Sequence, residues 1–416
     1  MSKSDTRSKT FVDSAKLPLA GKVVLDFGHT VMGPSCGMVL ADLGADVIKI
    51  EPPEGDPTRR LKGFGLGYFG YFNRNKRSLA VDLKANEGLA IAERLIGKAD
   101  VLIENFGPRT MERLKLDYDR LVPKNPRLIY ASLKGFLPGP YEERLALDEV
   151  VQMMAGLAYM TGPTGRPLRA GTSVVDIGGG LFAVIGILSA LAVREATGKG
   201  QLVQTALFET TVFLMGQHLC YAAQSDVPIP PMPERVSAWA VYEPFTLRDG
   251  KQLFVGITAD RQWERFTSVL GRADIRDDPT LATNNQRIAA RPTLLPLIES
   301  IFKEMTLEEA TAICERSGIP FAPIARPEDL FEDPHLKETH ALLDTTLPNG
   351  VATRLPVTPL RFEDGLLPLR LNPPDIGQNT AEILSQIGFD RHEIAQLASS
   401  KVIFAQNRTS DERPDL

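Results

Sequence analysis

From Lys22 onward the chain alternates short β-branched runs with helical segments. KVVLDF is followed by a helix over Pro34 to Asp42, then DVIKIE, SLAVDL, a helix over Glu87 to Ile96, DVLIEN, a helix from Pro108, and RLIYASL. Strand, helix, strand in that order predicts an α/β fold, a parallel sheet with helices on its faces. At 416 residues the chain is long for one domain, so a second unit is expected beside the sheet.

Four prolines in DVPIPPMPERVSA, Pro228, Pro230, Pro231 and Pro233, mark a linker over 227–238. The large α/β domain then has its first part at 17–226. Beyond the linker, YEPFTLRDGKQLFVGI predicts a strand pair turning at Asp-Gly, with helices over Gln262 to Val269 and Leu294 to Glu304. This makes 239–327 a smaller α+β domain. Residues 328–416 read as a return linker and the C-terminal part of the large domain, with a helix over Asn379 to Leu397 and a frayed polar tail, VIFAQNRTSDERPDL. Residues 1–16 read as a disordered polar tail.

Acidic residues outnumber basic ones, the net charge is -5 and no basic block stands out, which argues against a nucleic-acid partner. The N-terminus lacks the apolar core of a signal peptide, and no stretch reaches the roughly 18 uncharged apolar residues of a membrane span. Cys36, Cys220 and Cys314 lie far apart and read as reduced thiols. Together these predict a cytoplasmic protein without a membrane partner.

No GxxxxGK[ST] occurs, and GLGYFG, from Gly65 to Gly70, leads into a strand and reads as a plain loop. None of the five histidines has the i, i+4 partner of a zinc helix, so no metal is expected. GPSCG, around Ser35, stands too far from its strand for a nucleophile elbow. His29 lies in the first strand-to-helix turn, where open α/β sheets bind ligands. Arg59, Arg60, Arg74, Lys76, Arg77, Arg113 and Lys134 read singly as solvated charges and together as an anion pocket. The segment with the most chemical content is GTSVVDIGGG. It delivers Asp176 at a helix start, and Gly178, Gly179 and Gly180 leave the backbone bare around it. Such a carboxylate is either a nucleophile or the helix N-cap. GLFAVIGILSALAVRE follows as a buried helix ending in a glycine cap at TGKG.

The strings VVLDFGHTVMGPSCGMVLADLGADVIKIEPPEGDPTR, YFNRNKRSLAVDLK, DVLIENFGP, NPRLIYASLKGF, LALDEVVQMMAGLAYMTG and GTSVVDIGGG, between Leu19 and Gly388, resemble the family III coenzyme A transferases, the CaiB/BaiF family. The resemblance implies a Rossmann-like large domain built from both chain ends, a small domain, and a homodimer interlocked like chain links. It implies that Asp176 is the catalytic nucleophile and that Asn105, Arg113 and Lys134 contact coenzyme A. Two family contacts are absent: Pro52 stands for an arginine and Leu145 for a lysine, with Arg144 as the substitute. In the substrate pocket, beside His29, Val31 stands where members acting on formyl-coenzyme A carry glutamine. Their tetraglycine loop is also missing from FVGITADRQW, which disfavours formyl/oxalate exchange.

The implied chemistry moves coenzyme A from an acyl-coenzyme A donor, with succinyl-coenzyme A preferred, to a small carboxylic or dicarboxylic acid. It passes through an aspartyl anhydride and an aspartyl thioester, with no bound cofactor and coenzyme A thioester as substrate. Amides of Gly178 and Gly179 would hold oxyanions, and Val174, Val175, Ile177, Met153 and Leu157 would wall a dry site. Arg59, Arg60, Arg74, Arg166 and Arg169 are candidates for a distal carboxylate. The alternatives are an acyl-coenzyme A racemase, disfavoured because Leu147 occupies the position of its histidine, and a non-catalytic acyl-coenzyme A-binding protein.

Overall fold

The computed structural model describes residues 10–235 and 237–406, so residues 1–9 of the tail expected over 1–16 and the end of the polar C-terminus lie outside the described residues. The rest of that N-terminal tail is ordered: Phe11 bridges to Leu366, Val12 is buried and Ser14–Lys16 form a 3-10 turn. The chain divides into two compact units, one of residues 1–233 with 335–416 and one of residues 234–334. In the first, six parallel strands are β1 (Val23–Asp26), β2 (Asp46–Glu51), β3 (Lys76–Val81), β4 (Val101–Glu104), β5 (Ile129–Lys134) and β6 (Leu202–Ala206). They stand in the order β3-β2-β1-β4-β5-β6, the doubly wound Rossmann arrangement, which reverses direction of growth between β1 and β4. Alternate residues of the central strands enter two separate cores. Val24, Val47 and Val101 face one, and Leu25, Ile48 and Leu102 face the other. Burial on both faces explains why these strands read as continuous apolar runs.

Two strands of this sheet were not legible in the sequence, nor were the antiparallel pairs Leu342–Thr346 with Ala352–Pro356 and Arg361–Phe362 with Gly365–Leu366 in the segment read as a return linker. β6 has an alternating, half-exposed pattern and passes directly into the helix Leu207–Leu214, so only the apolar helical stretch from Ala206 onward stands out in the sequence. Ile403–Phe404, placed above in a frayed tail, pairs antiparallel with β3 and closes the sheet edge. GLGYFG is also no plain loop: Gly63–Gly67 form a 3-10 turn that runs into the helix Tyr68–Phe72. The helical stretch expected over Asn379 to Leu397 is two helices, Thr380–Gln386 and Arg391–Ser399, interrupted at Gly388, whose φ is 93°.

The second unit is a three-stranded antiparallel sheet, Val241–Thr246, Gln252–Ile257 and Phe321–Pro323, with helices packed on it. Gly250, at φ 75°, makes the Asp-Gly turn. Trp263, Phe266, Ile298 and Phe302 form its core.

The long helix Val174–Thr197 packs on the first helix, Met32–Asp42, and ends at Gly198 in the left-handed conformation. Its glycines belong to that packing. A β-carbon on Gly179 would stand 2.4 Å from Met32 Cε, and one on Gly180 would stand 2.1 Å from Ser35 Oγ. By length and composition this helix could cross a bilayer. It carries Asp176 near its start and a buried Arg194 near its end, which bonds Asp100 and the carbonyl of Arg127.

Lys76 and Asp26 form an ion pair of 2.7 Å with both side chains fully buried. Lys76 Nζ also donates to Pro34 O at 2.9 Å and Asn73 Oδ1 at 3.0 Å. Removing one partner leaves a buried, unpaired charge, so Lys76→Ala is expected to lower stability by about 3–5 kcal/mol, read as a lower urea midpoint. A loss below 1 kcal/mol would show that water or a neighbour takes the ammonium's place.

Candidate active site

At the carboxyl ends of β1, β4 and β5, where the strand order reverses, a cavity of about 240 Å³ opens. Its lining includes His29, Asn105, Lys134, Arg144, Leu147, Asp148 and Asp176. Residues far apart in sequence are thus brought to one place by the sheet.

The nucleophile candidate is not the cap of its helix. Val174 opens the helix and Asp176 is its third residue; Ser173, at the cap position, makes no side-chain cap bond. The cap comes from another helix, Asp148–Met154. Asp148 Oδ2 accepts from the amide N–H of Val175 at 2.9 Å and of Asp176 at 3.1 Å, while its Oδ1 accepts from Gln152 Nε2. Gln152 Oε1 in turn accepts from the N–H of Ala170. Nothing in the sequence marks Asp148 for this role, because a cap contributed by a residue 28 positions away leaves no local signature.

Burial, reinforced by the Asp148 charge and opposed by Arg169, pushes the Asp176 carboxyl up to about 7. Arg169 Nη2 is 3.7 Å from Asp148 Oδ1, and its Nη1 donates to Glu149 at 2.8 Å. His29 stacks against Phe106 at 5.5 Å, and its Nδ1 meets Thr30 Oγ1 at 2.9 Å. Burial first, and then the charge of Lys49, lowers its pKa, so the ring is neutral at neutral pH.

Asn105 uses both ends of its amide on the first turn: Oδ1 accepts from His29 N at 2.8 Å and Nδ2 donates to His29 O at 2.9 Å. It shapes the cavity wall as much as it offers a contact. Lys134 Nζ donates to Glu104 at 2.7 Å and to Phe106 O at 2.9 Å. The Arg144 guanidinium lies over Tyr141 at 4.8 Å.

Other expected site residues fall elsewhere. Arg113 is exposed and donates to Thr110 Oγ1, away from the cavity lining. Val31 is fully buried in the core rather than in the cavity wall, because the first helix begins immediately after it. Gly178 and Gly179 lie in the second turn of the helix, where their amides belong to the helical ladder, so they offer no free oxyanion donors. Of the proposed walls, Met153 is half exposed and Val175 is wholly in the core.

The basic residues form no anion pocket. Arg59 is bidentate to Glu51, Arg74 binds Asp42, Lys76 binds Asp26 and Arg77 binds Asp46. Arg60 and Arg166 are exposed or near the surface, outside the lining. Among the described residues no group of three or more histidine, cysteine, aspartate or glutamate side chains is placed to hold a metal.

Residues 19–380 match the family model of CoA-transferase family III. An acyl-CoA transferase of Fusarium pseudograminearum is 37% identical over 94% of this chain and 89% of its own length. A succinate–glutarate CoA-transferase of Agrobacterium fabrum is 33% identical over 91% and 98%. A CAIB/BAIF family protein from Brucella suis has a solved structure with TM-score 0.79 and 34% identity, covering 91% of this chain and all of that one. With this match, and with the Rossmann-type sheet presenting Asp176 to a cavity at its switch point, the chain belongs to CoA-transferase family III, and it is a CoA-transferase.

Proposed function

We infer that Asp176 carries coenzyme A between two carboxylic acids. The observation behind this reading is a part-buried carboxylate held at a helix start, with its pKa raised to about 7, in a cavity that also contains Lys134 and Arg144. An Asp176 oxygen attacks the donor thioester carbonyl; the C–S bond breaks and the thiolate leaves with the electron pair, giving an aspartyl anhydride. The thiolate attacks the aspartyl carbonyl and expels the donor acid. The acceptor carboxylate attacks the resulting aspartyl thioester to form a mixed anhydride, and the thiolate closes on the acceptor's acyl carbon, restoring Asp176. A raised pKa suits this work, because a more basic carboxylate is the stronger nucleophile toward a thioester.

Lys134 and Arg144 are suited to the anionic groups of the coenzyme A substrate. A second cavity, lined by Phe27, Ile50, Pro52 and Thr58, shares His29, Thr30 and Phe106 with the first, and a ligand as long as coenzyme A would extend into it. The proposed donor is succinyl-coenzyme A and the acceptor a small carboxylic or dicarboxylic acid, a choice supported by the named activity of the Agrobacterium relative. Racemisation finds little support, since Leu147 offers no second base. The proposed setting is the cytoplasm, and the proposed assembly is an interlocked homodimer. Leu181, Ile185, Leu188, Phe213 and Leu219 expose an apolar surface along the long helix and its successors that a second copy would cover.

Asp176→Ala is expected to reduce transfer from succinyl-coenzyme A at least a thousandfold while the circular dichroism spectrum stays unchanged; more than a few per cent of wild-type turnover would place the nucleophile elsewhere.

A desolvated carboxyl with a raised pKa also costs stability when ionised. Near the ordinary value of 3.8 and below, the folded protein keeps this carboxyl protonated and the cost is absent; it grows as the pH rises and is complete above about 7. Asp176→Asn should therefore stabilise the protein at pH 8 on the order of 2–4 kcal/mol and hardly at all at pH 4, as read from melting temperatures. Equal gains at both values would assign the effect to packing.

Ile185→Arg, placing a charge on the apolar face, should convert the dimer to monomer in sedimentation velocity. A wild-type protein that sediments as a monomer would remove the dimer reading.

A further inference from the structure

We propose that Asp148 is a positioning residue for the transfer reaction: by capping the first turn of the nucleophile's helix it holds a second negative charge beside Asp176, and that charge drives Asp176 toward its acylated, uncharged form. The inference rests on the reading of Asp176 as nucleophile. Asp148 is buried, it belongs to a different helix, and its Oδ2 spans the amides of Val175 and of Asp176 itself. A cap alone does not require a full charge, since serine, threonine or asparagine satisfies the same amides. Here a second carboxyl group stands beside the nucleophile, where its repulsion raises the pKa of Asp176.

The other charged groups around Asp176 leave this repulsion in place. Arg169, on the segment before the long helix, opposes it but is the smaller influence: its Nη1 is engaged by Glu149, and its Nη2 stands 3.7 Å from Asp148 Oδ1, close enough for an ion pair but without a hydrogen bond. On the first turn His29 is held neutral, and at the end of β5 Lys134 is paired with Glu104. Arg144 and Glu142 stand on the loop that follows. Glu209, on the helix Leu207–Leu214, accepts from the N–H of Leu137, and the Cys36 thiol of the first helix stays protonated, pushed up by burial.

When Asp176 attacks the thioester carbonyl, its charge passes to the departing thiolate and the adduct at Asp176 is neutral. Repulsion by Asp148 exists before this step and not after it. The carboxylate is thereby made more basic and the covalent enzyme is favoured over the free one.

Asp148→Asn removes the charge while the amide oxygen still accepts from the two N–H groups; the bond from Gln152 Nε2 is lost with it, and Gln152→Ala measures that loss alone. Wild type and variant are mixed with succinyl-coenzyme A between pH 5 and 9, quenched in acid, and the adduct on the peptide containing Asp176 is followed by mass spectrometry. In Asp148→Asn the pH of half-maximal adduct formation should fall by roughly one unit. The equilibrium ratio of adduct to free enzyme above that pH should fall by up to about tenfold. Asp148→Glu should retain the wild-type midpoint. An adduct on Asp176 with the same midpoint and yield in Asp148→Asn would reduce Asp148 to a neutral cap and overturn the proposal. Normal turnover with no adduct on Asp176 in the wild type would overturn the nucleophile reading, a distinct result.

Discussion

The buried pair of Asp26 and Lys76 is the interaction on which the large unit depends. Asp26 ends β1 and Lys76 begins β3, with β2 between them. Asp26 Oδ1 accepts from the N–H of Gly28, and Oδ2 takes the Lys76 ammonium, which reaches on to the carbonyl of Pro34 inside the first helix. Strand, turn and helix are thus tied at one point. Space is so short there that a β-carbon on Gly37 would lie 2.5 Å from Asp26 Oδ2. The turn held this way supplies His29, Thr30 and Met32 to the cavity.

The neighbouring residues bring the C-terminal part of the chain home. Asn75, in the left-handed conformation at φ 60°, accepts from the N–H groups of Arg370 and Leu371 and donates to Asp42. Arg74 and Thr358 bind the same Asp42 carboxylate. Farther along β3, Ser78 Oγ accepts from the N–H of Gly377 and Thr380 Oγ1 from that of Ala80. NRNKRS is thus a docking strip for a returning chain. Its charges are consumed in the fold, which is why they form no anion pocket.

The candidate site is built the opposite way. Asp176 is part-buried without a cation in contact, next to another carboxylate, an arrangement that raises its pKa and costs stability when it ionises. Close helix packing keeps it in place: Gly179 and Gly180 let the long helix settle onto Met32 and Ser35. The glycines that look from sequence like a bare catalytic turn act through this contact.

By itself the sequence determined the α/β class, the parallel strands of the sheet interior, the Pro-rich boundary near Pro233 and the place of Asp176 at a helix start. Each rests on a local signal: apolar runs, proline density, or a carboxylate ahead of glycines at a helix start. Resemblance added that His29, Asn105, Lys134, Arg144 and Leu147 share a region, and the sheet does gather them. Only the tertiary structure decided the rest. An edge strand of two residues, Ile403–Phe404, carries too few side chains to announce itself and exists because β3 has an edge to offer. Val31 and Arg113 kept plausible positions in the chain but lost the site, one to the core and the other to the surface. Asp148 gained it, because which carboxylate caps a helix from outside depends on how two helices meet in space, and no periodicity within either helix records that meeting.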